Sequence, residues 1–190
     1  MKSNEENRED ERLVVALFLE EKEDDDDHYD RIAQRLASEN PALLRKMIGQ
    51  LPSRQLRAAI FGFGTRGDNL GREIALSYLE HADPLIAAEA IDALRRTDPA
   101  AWSRVSGFLA HASPFVRGAA LRFARVALGN EAVPVLAAAL DDSDPIVRQN
   151  ALDELDGIAT PSLSGKIAMY LGDADEGVRQ AAESLLESLR

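Results

Sequence analysis

The chain contains no cysteine, which excludes both a disulfide framework and a thiolate metal site. Aromatics supply only 5% of its 190 residues, and lysine is scarce, with 4 against 18 arginines. Long apolar runs are missing too. The longest, LVVALFL (13–19) and AVPVLAAAL (132–140), fall far short of the roughly 20 residues a membrane-spanning helix needs. The opening stretch, MKSNEENREDERLVV, lacks the basic and apolar regions of a secretory signal. These absences predict a soluble, intracellular, cytoplasmic protein with no membrane partner. A hydrophobic content of 45% is enough for a substantial core.

The formal net charge of −11 is unevenly spread. Residues 1–30 hold 13 acids and 4 bases, whereas residues 31–190 hold 20 acids and 18 bases. The acidity peaks in EEKEDDDD (20–27), which reads as a solvated segment; the alternative is a lure for a basic partner.

A period runs through the chain. LEHADPLIAAEAIDAL from Leu79, LAHASPFVRGAALRFA from Leu109, LDDSDPIVRQNALDEL from Leu140 and LGDADEGVRQAAESLL from Leu171 align without gaps, in steps of 30, 31 and 31. Within each, Ile86, Val116, Val147 or Val178 is followed four residues on by Ala90, Ala120, Ala151 or Ala182. A further four residues bring Leu94, Ala124, Leu155 or Leu186. Spacing by fours is that of one buried helical face. A fainter copy places Leu56 and Ile60 in register upstream.

Six prolines follow a capping residue: Asn40-Pro41, Asp83-Pro84, Asp98-Pro99, Ser113-Pro114, Asp144-Pro145 and Thr160-Pro161. Proline suits the first helical turn because its φ is preset and its missing N–H would find no intrahelical partner. The residue before it accepts from the free N–H groups of that turn. Ser53 and Asp175 can cap two more helices. The pattern predicts helices near 11–22, 28–38, 41–50, 53–63, 70–81, 84–96, 99–111, 114–128, 131–141, 145–157, 161–172 and 175–189. These make six two-helix repeats and no strand. One hairpin is too thin to bury its own apolar face, so the expected fold is all-α: hairpins stacked in a single domain, 1–190, as a right-handed superhelix. Leu13, Leu17, Ile32 and Leu36 suggest a divergent first pair, and ESLLESLR a polar closing helix.

The pattern L-x-D-x-D-P-x-V-R-x-x-A, with Asp142, Asp144, Pro145, Val147, Arg148 and Ala151, resembles the HEAT repeat, and more narrowly the short bacterial HEAT-like repeats of phycobilin lyases. The resemblance is clear over 70–190 and weaker over 1–69. It departs where Glu176 replaces proline, Ala87 replaces arginine, and His81 and His111 stand in the Asp142 position. The resemblance implies an armadillo-like α-solenoid. It also implies a structural ladder in which the recurring Arg57, Arg117, Arg148 and Arg179 pair with turn aspartates of adjacent repeats, here Asp142 and Asp173; the alternative is a ligand-binding ladder. Iron-dependent hydroxylases built from such repeats carry His-Glu pairs. This chain has His28-Tyr29, His81-Ala82 and His111-Ala112, so those ligands do not carry over.

GFGTRG (62–67) matches the spacing of a dinucleotide-binding turn. It follows a helix rather than a strand, so Gly62 and Gly64 read as helix terminators and TRGDNLG as a connection. Trp102 reads as a cap over the core, with a partner anchor as the alternative.

The expected function is a protein-binding scaffold or adaptor, with the monomer favoured over an oligomer and no cofactor, metal or catalytic constellation. Counting from the buried Ile and Val positions, the second helices should present Glu89, Asp92, Arg96, Arg122, Arg125, Gln149, Asn150, Asp153 and Gln180 along a concave face. Two other classes stay open. One is a chromophore-attachment factor of the phycobilin-lyase kind. The other is nucleic-acid binding, disfavoured by a net-negative body in which Arg117, Arg122 and Arg125 form the notable basic cluster.

Overall fold

Helices start where capping chemistry places them. In the computed structural model, which describes residues 4–20 and 26–190, Asn40 accepts from the Leu43 N–H, Asp83 from Leu85, Asp144 from Ile146 and Asp175 from Val178. Proline occupies the first turn after three of these caps. Most of the acidic run at 20–27 lies outside the described residues; Glu20, Asp26 and Asp27 are within them. Among the described residues there is no strand.

The helices gather into two compact units, Met1–Asp98 and Pro99–Arg190. The first contains α1 (Asn4–Leu19), α2 (Asp26–Glu39), α3 (Pro41–Met47), α4 (Ser53–Thr65), α5 (Asn69–Tyr78) and α6 (Pro84–Thr97). Here α4 packs between α2 and α6. The contact is made close by small residues: Ala33 and Ala37 on α2, Ala59 on α4, and Ala90 and Ala93 on α6 are all fully buried. Ile60, Phe63, Ile91 and Leu94 fill the space around them.

The glycines of GFGTRG belong to this packing, which corrects their reading as terminators. Gly62 and Gly64 lie inside α4. A Cβ on Gly62 would sit 2.7 Å from the Ala33 carbonyl carbon and oxygen, and one on Gly64 would sit 2.8 Å from the Ala93 Cβ. The helix stops instead at Gly67, whose φ of 65° is open to glycine at little cost. Arg66 donates to the Ala37 carbonyl and to Asp68, while Asp68 also caps α5 by accepting from the Gly71 N–H. The connecting loop is thus spent on joining helices.

The second unit contains α7 (Trp102–Val105), α8 (Pro114–Leu128), α9 (Val133–Ala139), α10 (Pro145–Leu155), α11 (Ser164–Ala168) and α12 (Glu176–Ser188). Here α10 lies between α8 and α12. The repeat positions form the core. Val116, Val147 and Val178 are at most 2% exposed, and Ala120, Ala151 and Ala182 are fully buried. Each buried valine contributes on the order of 1.5–3 kcal/mol relative to exposure.

The first helices of these repeats are shorter than their spacing predicts. The segments expected at 99–111, 131–141 and 161–172 are short α-helical pieces joined to 3₁₀ turns at Ser106–Ala110, Gly129–Ala132, Pro161–Leu163 and Met169–Gly172. Their N-caps make no side-chain hydrogen bond. Gly107, Gly129, Pro134, Gly165 and Gly172 also lower helix propensity throughout. Asp98, expected to start a helix, instead closes α6 and accepts from Arg72 Nε at 2.6 Å. Ser53 lies inside α4, behind an N-cap at Pro52. Ser113 and Thr160 make no capping bond.

Candidate interaction surface

In the second unit the turns between helices are tied together by arginine. Arg117, near the start of α8, donates through Nε and Nη2 to both carboxylate oxygens of Asp142, each at 2.8 Å. Arg148, near the start of α10, grips Asp173 in the same way. The third nitrogen of each, Nη1, turns back to its own repeat: Arg117 to the His111 and Ala112 carbonyls, Arg148 to those of Asp142 and Ser143. One oxygen of each aspartate also accepts the backbone N–H two residues on, from Asp144 or Asp175. A planar fork with this many fixed acceptors sets an angle as well as a distance.

The charges respond accordingly. The Arg148 guanidinium holds Asp173 below the usual carboxylate range against a smaller effect of burial, with help from the Asp175 N–H and Arg179. Burial pushes Asp142 up, but Arg117, the Asp144 N–H and Arg148 together outweigh it and leave it lowered. A second link ties the same repeats: Lys166 Nζ and the Tyr170 hydroxyl both donate to Asp141, at 2.7 and 2.9 Å. Burial and that bond push Tyr170 up to about 12.

Arg57 and Arg179 depart from this pattern. In the first unit the position ahead of Arg57 holds His81, and Arg57 reaches back to Asp26 at the start of α2. Arg54 joins it on Asp26 at 3.2 Å. Arg179 donates to its own turn carbonyls at Asp173 and Ala174. The two turn histidines keep part of the aspartate's role. His81 Nδ1 accepts from the Asp83 N–H and His111 Nδ1 from the Ser113 N–H, each at 3.0 Å. His28 Nε2 lies 3.3 Å from the Leu17 carbonyl. Among the described residues no cluster of three or more His, Asp or Glu is placed to hold a metal. No helix among them is long and apolar enough to cross a membrane.

The residues expected along the second helices fall into two groups. In the first unit, Arg96 donates to Glu89 at 2.7 Å and lies over the Phe61 ring, 5.1 Å from its centroid. Arg96 Nε is buried without an acceptor. Burial raises the Glu89 carboxyl even beside this guanidinium. Asp92 accepts from Arg95 at 3.1 Å. These side chains face one another as much as solvent.

In the second unit, Arg122 on α8 donates to Asn150 on α10 at 2.7 Å, and Asn150 donates to the Ile146 carbonyl. Gly118 leaves room for this bridge, since a Cβ there would meet the Asn150 amide at 3.3 Å. Asp153, one turn beyond Asn150, stays exposed while neighbouring atoms desolvate its carboxyl and raise its pKa. Arg125 and Gln149 are half-buried. Gln180 on α12 donates to Glu176 at 3.1 Å.

Apolar members of this row were missed. Phe115 is 44% exposed and Ile146 38%, each in the first turn of its helix. Spacing by three or four along a helix puts Phe115 in line with Gly118 and Arg122, and Ile146 with Asn150 and Asp153. Their signal was the residue after proline in SPF and DPI. Leu85 fills the same place in DPL, in the first unit, and is 40% exposed. Trp102 stacks on the buried Phe123, their rings 6.2 Å apart, as a cap on the core would. Beside the Arg117–Asp142 pair lies a cleft of about 450 Å³, lined by Leu109, Leu121, Val135, Ala139 and Val147.

Helix hairpins with a repeating core and an arginine ladder define an all-α helical-repeat protein. Residues 103–187 match the family model described as HEAT repeats. Among solved structures, the chain is similar to a designed armadillo repeat protein, at 14% identity over 94% of this chain and 99% of that one, with a TM-score of 0.45. It is also similar to human deoxyhypusine hydroxylase, solved in complex with glycerol, at 18% identity over 93% and 84%, with a TM-score of 0.38. No curated protein matches.

Proposed function

We propose that this protein is an interaction scaffold and that the second-helix row of its second unit is where another protein binds. The observation behind this is the composition of that row. Phe115 and Ile146 supply exposed apolar contact, and next to them the bridged Arg122 and Asn150 and the open Asp153 supply directed polar groups. Apolar anchors beside arginine and amide groups suit a protein interface. A nucleic-acid surface would instead need unbalanced positive charge. The bridge holds the Arg122 and Asn150 side chains before any partner arrives, which reduces the entropy lost on binding. Glu89, Asp92 and Arg96 belong to the first unit; the Arg96–Glu89 and Arg95–Asp92 ion pairs give them a supporting part.

The test is photo-crosslinking in the native host, with a photoreactive amino acid at Gln149 on the row or at Gly107 in the Ser106–Ala110 turn. Position 149 should give a discrete adduct that position 107 does not. Equal labelling from both positions would remove the row from the account.

A further inference from the structure

Each of the four aligned repeats opens on a leucine, and three of them put an aromatic ring just before it: Tyr78, Phe108 and Tyr170. The exception is Ala139, ahead of Leu140. Tyr170 shows what the ring does. It is half-buried against the core of the second unit, and its hydroxyl donates at 2.9 Å to Asp141, in the turn of the preceding repeat. Lys166 donates to the same carboxylate at 2.7 Å, so ring and ammonium together close that junction. Leu140 of the preceding repeat is fully buried. One repeat earlier the counterparts of Tyr170, Lys166 and Asp141 are Ala139, Val135 and Ala110, which can make neither link. There the junction stays open as the cleft of about 450 Å³, lined by Ala139 and Val135. Leu109, the counterpart of Leu140, remains half-buried on its wall.

We propose that this cleft receives a phenylalanine side chain from a partner protein. The other repeats define the occupant, because they fill the same position with a ring of their own. Leu121 and Val147 lie almost fully buried at the cleft, and with Leu109 and Val135 they give a ring apolar walls on which to pack. The charged groups beside it cancel in pairs, Asp142 with Arg117 and Asp141 with Lys166, so a neutral ring suits it better than a charged one. Asp141 is exposed and has accepted from two donors, which leaves its carboxylate lone pairs for the peptide N–H groups that flank the ring. The ring and its backbone thus each find a matching surface. The site extends the scaffold reading to a second contact. It shares no residue with the row on α8 and α10, so the two can fail separately.

The experiment records methyl NMR spectra of the full chain during titration with N-acetyl-L-phenylalaninamide. The Leu109, Leu121 and Val135 methyls should move together and saturate with a dissociation constant on the order of 1–10 mM. N-acetyl-L-leucinamide, which lacks the flat ring, should bind at least about threefold more weakly. In Ala139→Phe the chain supplies the ring itself, so the melting temperature should hold or rise and the phenylalaninamide shifts should vanish. Val135→Glu puts a charge on the wall and should weaken binding at least about fivefold, which keeps the test open if Ala139→Phe does not fold. Equal binding of the two amides, or shifts of full size and affinity in either folded variant, would overturn the proposal. Benzyl alcohol binding as tightly as phenylalaninamide would mark a site for a free aromatic compound and overturn it as well. So would methyl shifts that follow protein concentration alone, which would assign the cleft to the exposed Phe115 of a second copy.

Discussion

Arg148 holds both carboxylate oxygens of Asp173 at 2.8 Å while its remaining nitrogen stays bonded to the Asp142 and Ser143 carbonyls. One side chain therefore joins α10, the turn before it and the turn of the next repeat. Asp173→Asn should remove the charge and one bidentate contact, lowering unfolding stability by about 1–3 kcal/mol in urea denaturation. Combined with Arg148→Gln, the loss should be clearly less than the sum of the two single changes, because they remove the same interaction. Simple additivity would mean that the pair holds no energy.

The same pair sets an acid dependence. The folded state lowers the Asp173 pKa below its unfolded value, so the folded state holds on to the charged form. The stability this contributes is fully present above the ordinary aspartate range, near 4, and is lost as pH falls through the lowered folded value. Burial moves Glu89 and Asp30 the opposite way, so the whole chain's profile mixes both signs. The difference between wild type and Asp173→Asn isolates one group. It should be largest at pH 7 and shrink steadily below about pH 4. A difference independent of pH would show that the carboxylate charge is irrelevant there.

Gly62 makes a steric prediction. Its missing side chain lets the Ala33 backbone approach, so Gly62→Ala should destabilise the chain by about 1–3 kcal/mol, despite alanine's better helix propensity. Gly165, inside α11 with open space where a Cβ would stand, should show the reverse: Gly165→Ala should be neutral or stabilising by up to about 1 kcal/mol. Thermal melts of the two variants are sufficient to check this. Helix terminators at 62 and 64 would instead predict only small losses.

What the sequence made legible follows from which forces act at short range. Proline after Asp or Asn, and Val or Ala every fourth residue, depend on one helix turn, and the second helices start and bury where those residues stand. Arg148 meets Asp173 because the repeat length places one turn 25 residues ahead. Other features depended on neighbours that no local pattern names. Arg57 could not use the histidine at 81 as an anion and turned to Asp26 instead. Gly62 and Gly64 looked like punctuation, yet their role comes from α2 and α6, which are distant in sequence. The first helices of the second unit follow an apolar period, but without side-chain caps they tighten into 3₁₀ turns. Phe115 and Ile146 were passed over because a large apolar residue in a first turn gives no sign of whether a neighbour covers it.

The scaffold account is tested most directly by the affinity of the crosslinked partner, once purified, for wild type and for the double variant Arg122→Glu, Asp153→Arg. Both changes lie on the half-buried or exposed side of their helices, and a thermal melt checks that the fold survives them. The account predicts binding weakened by about tenfold or more, on the scale of losing directed polar contacts at an interface. An unchanged dissociation constant with an intact fold would contradict it.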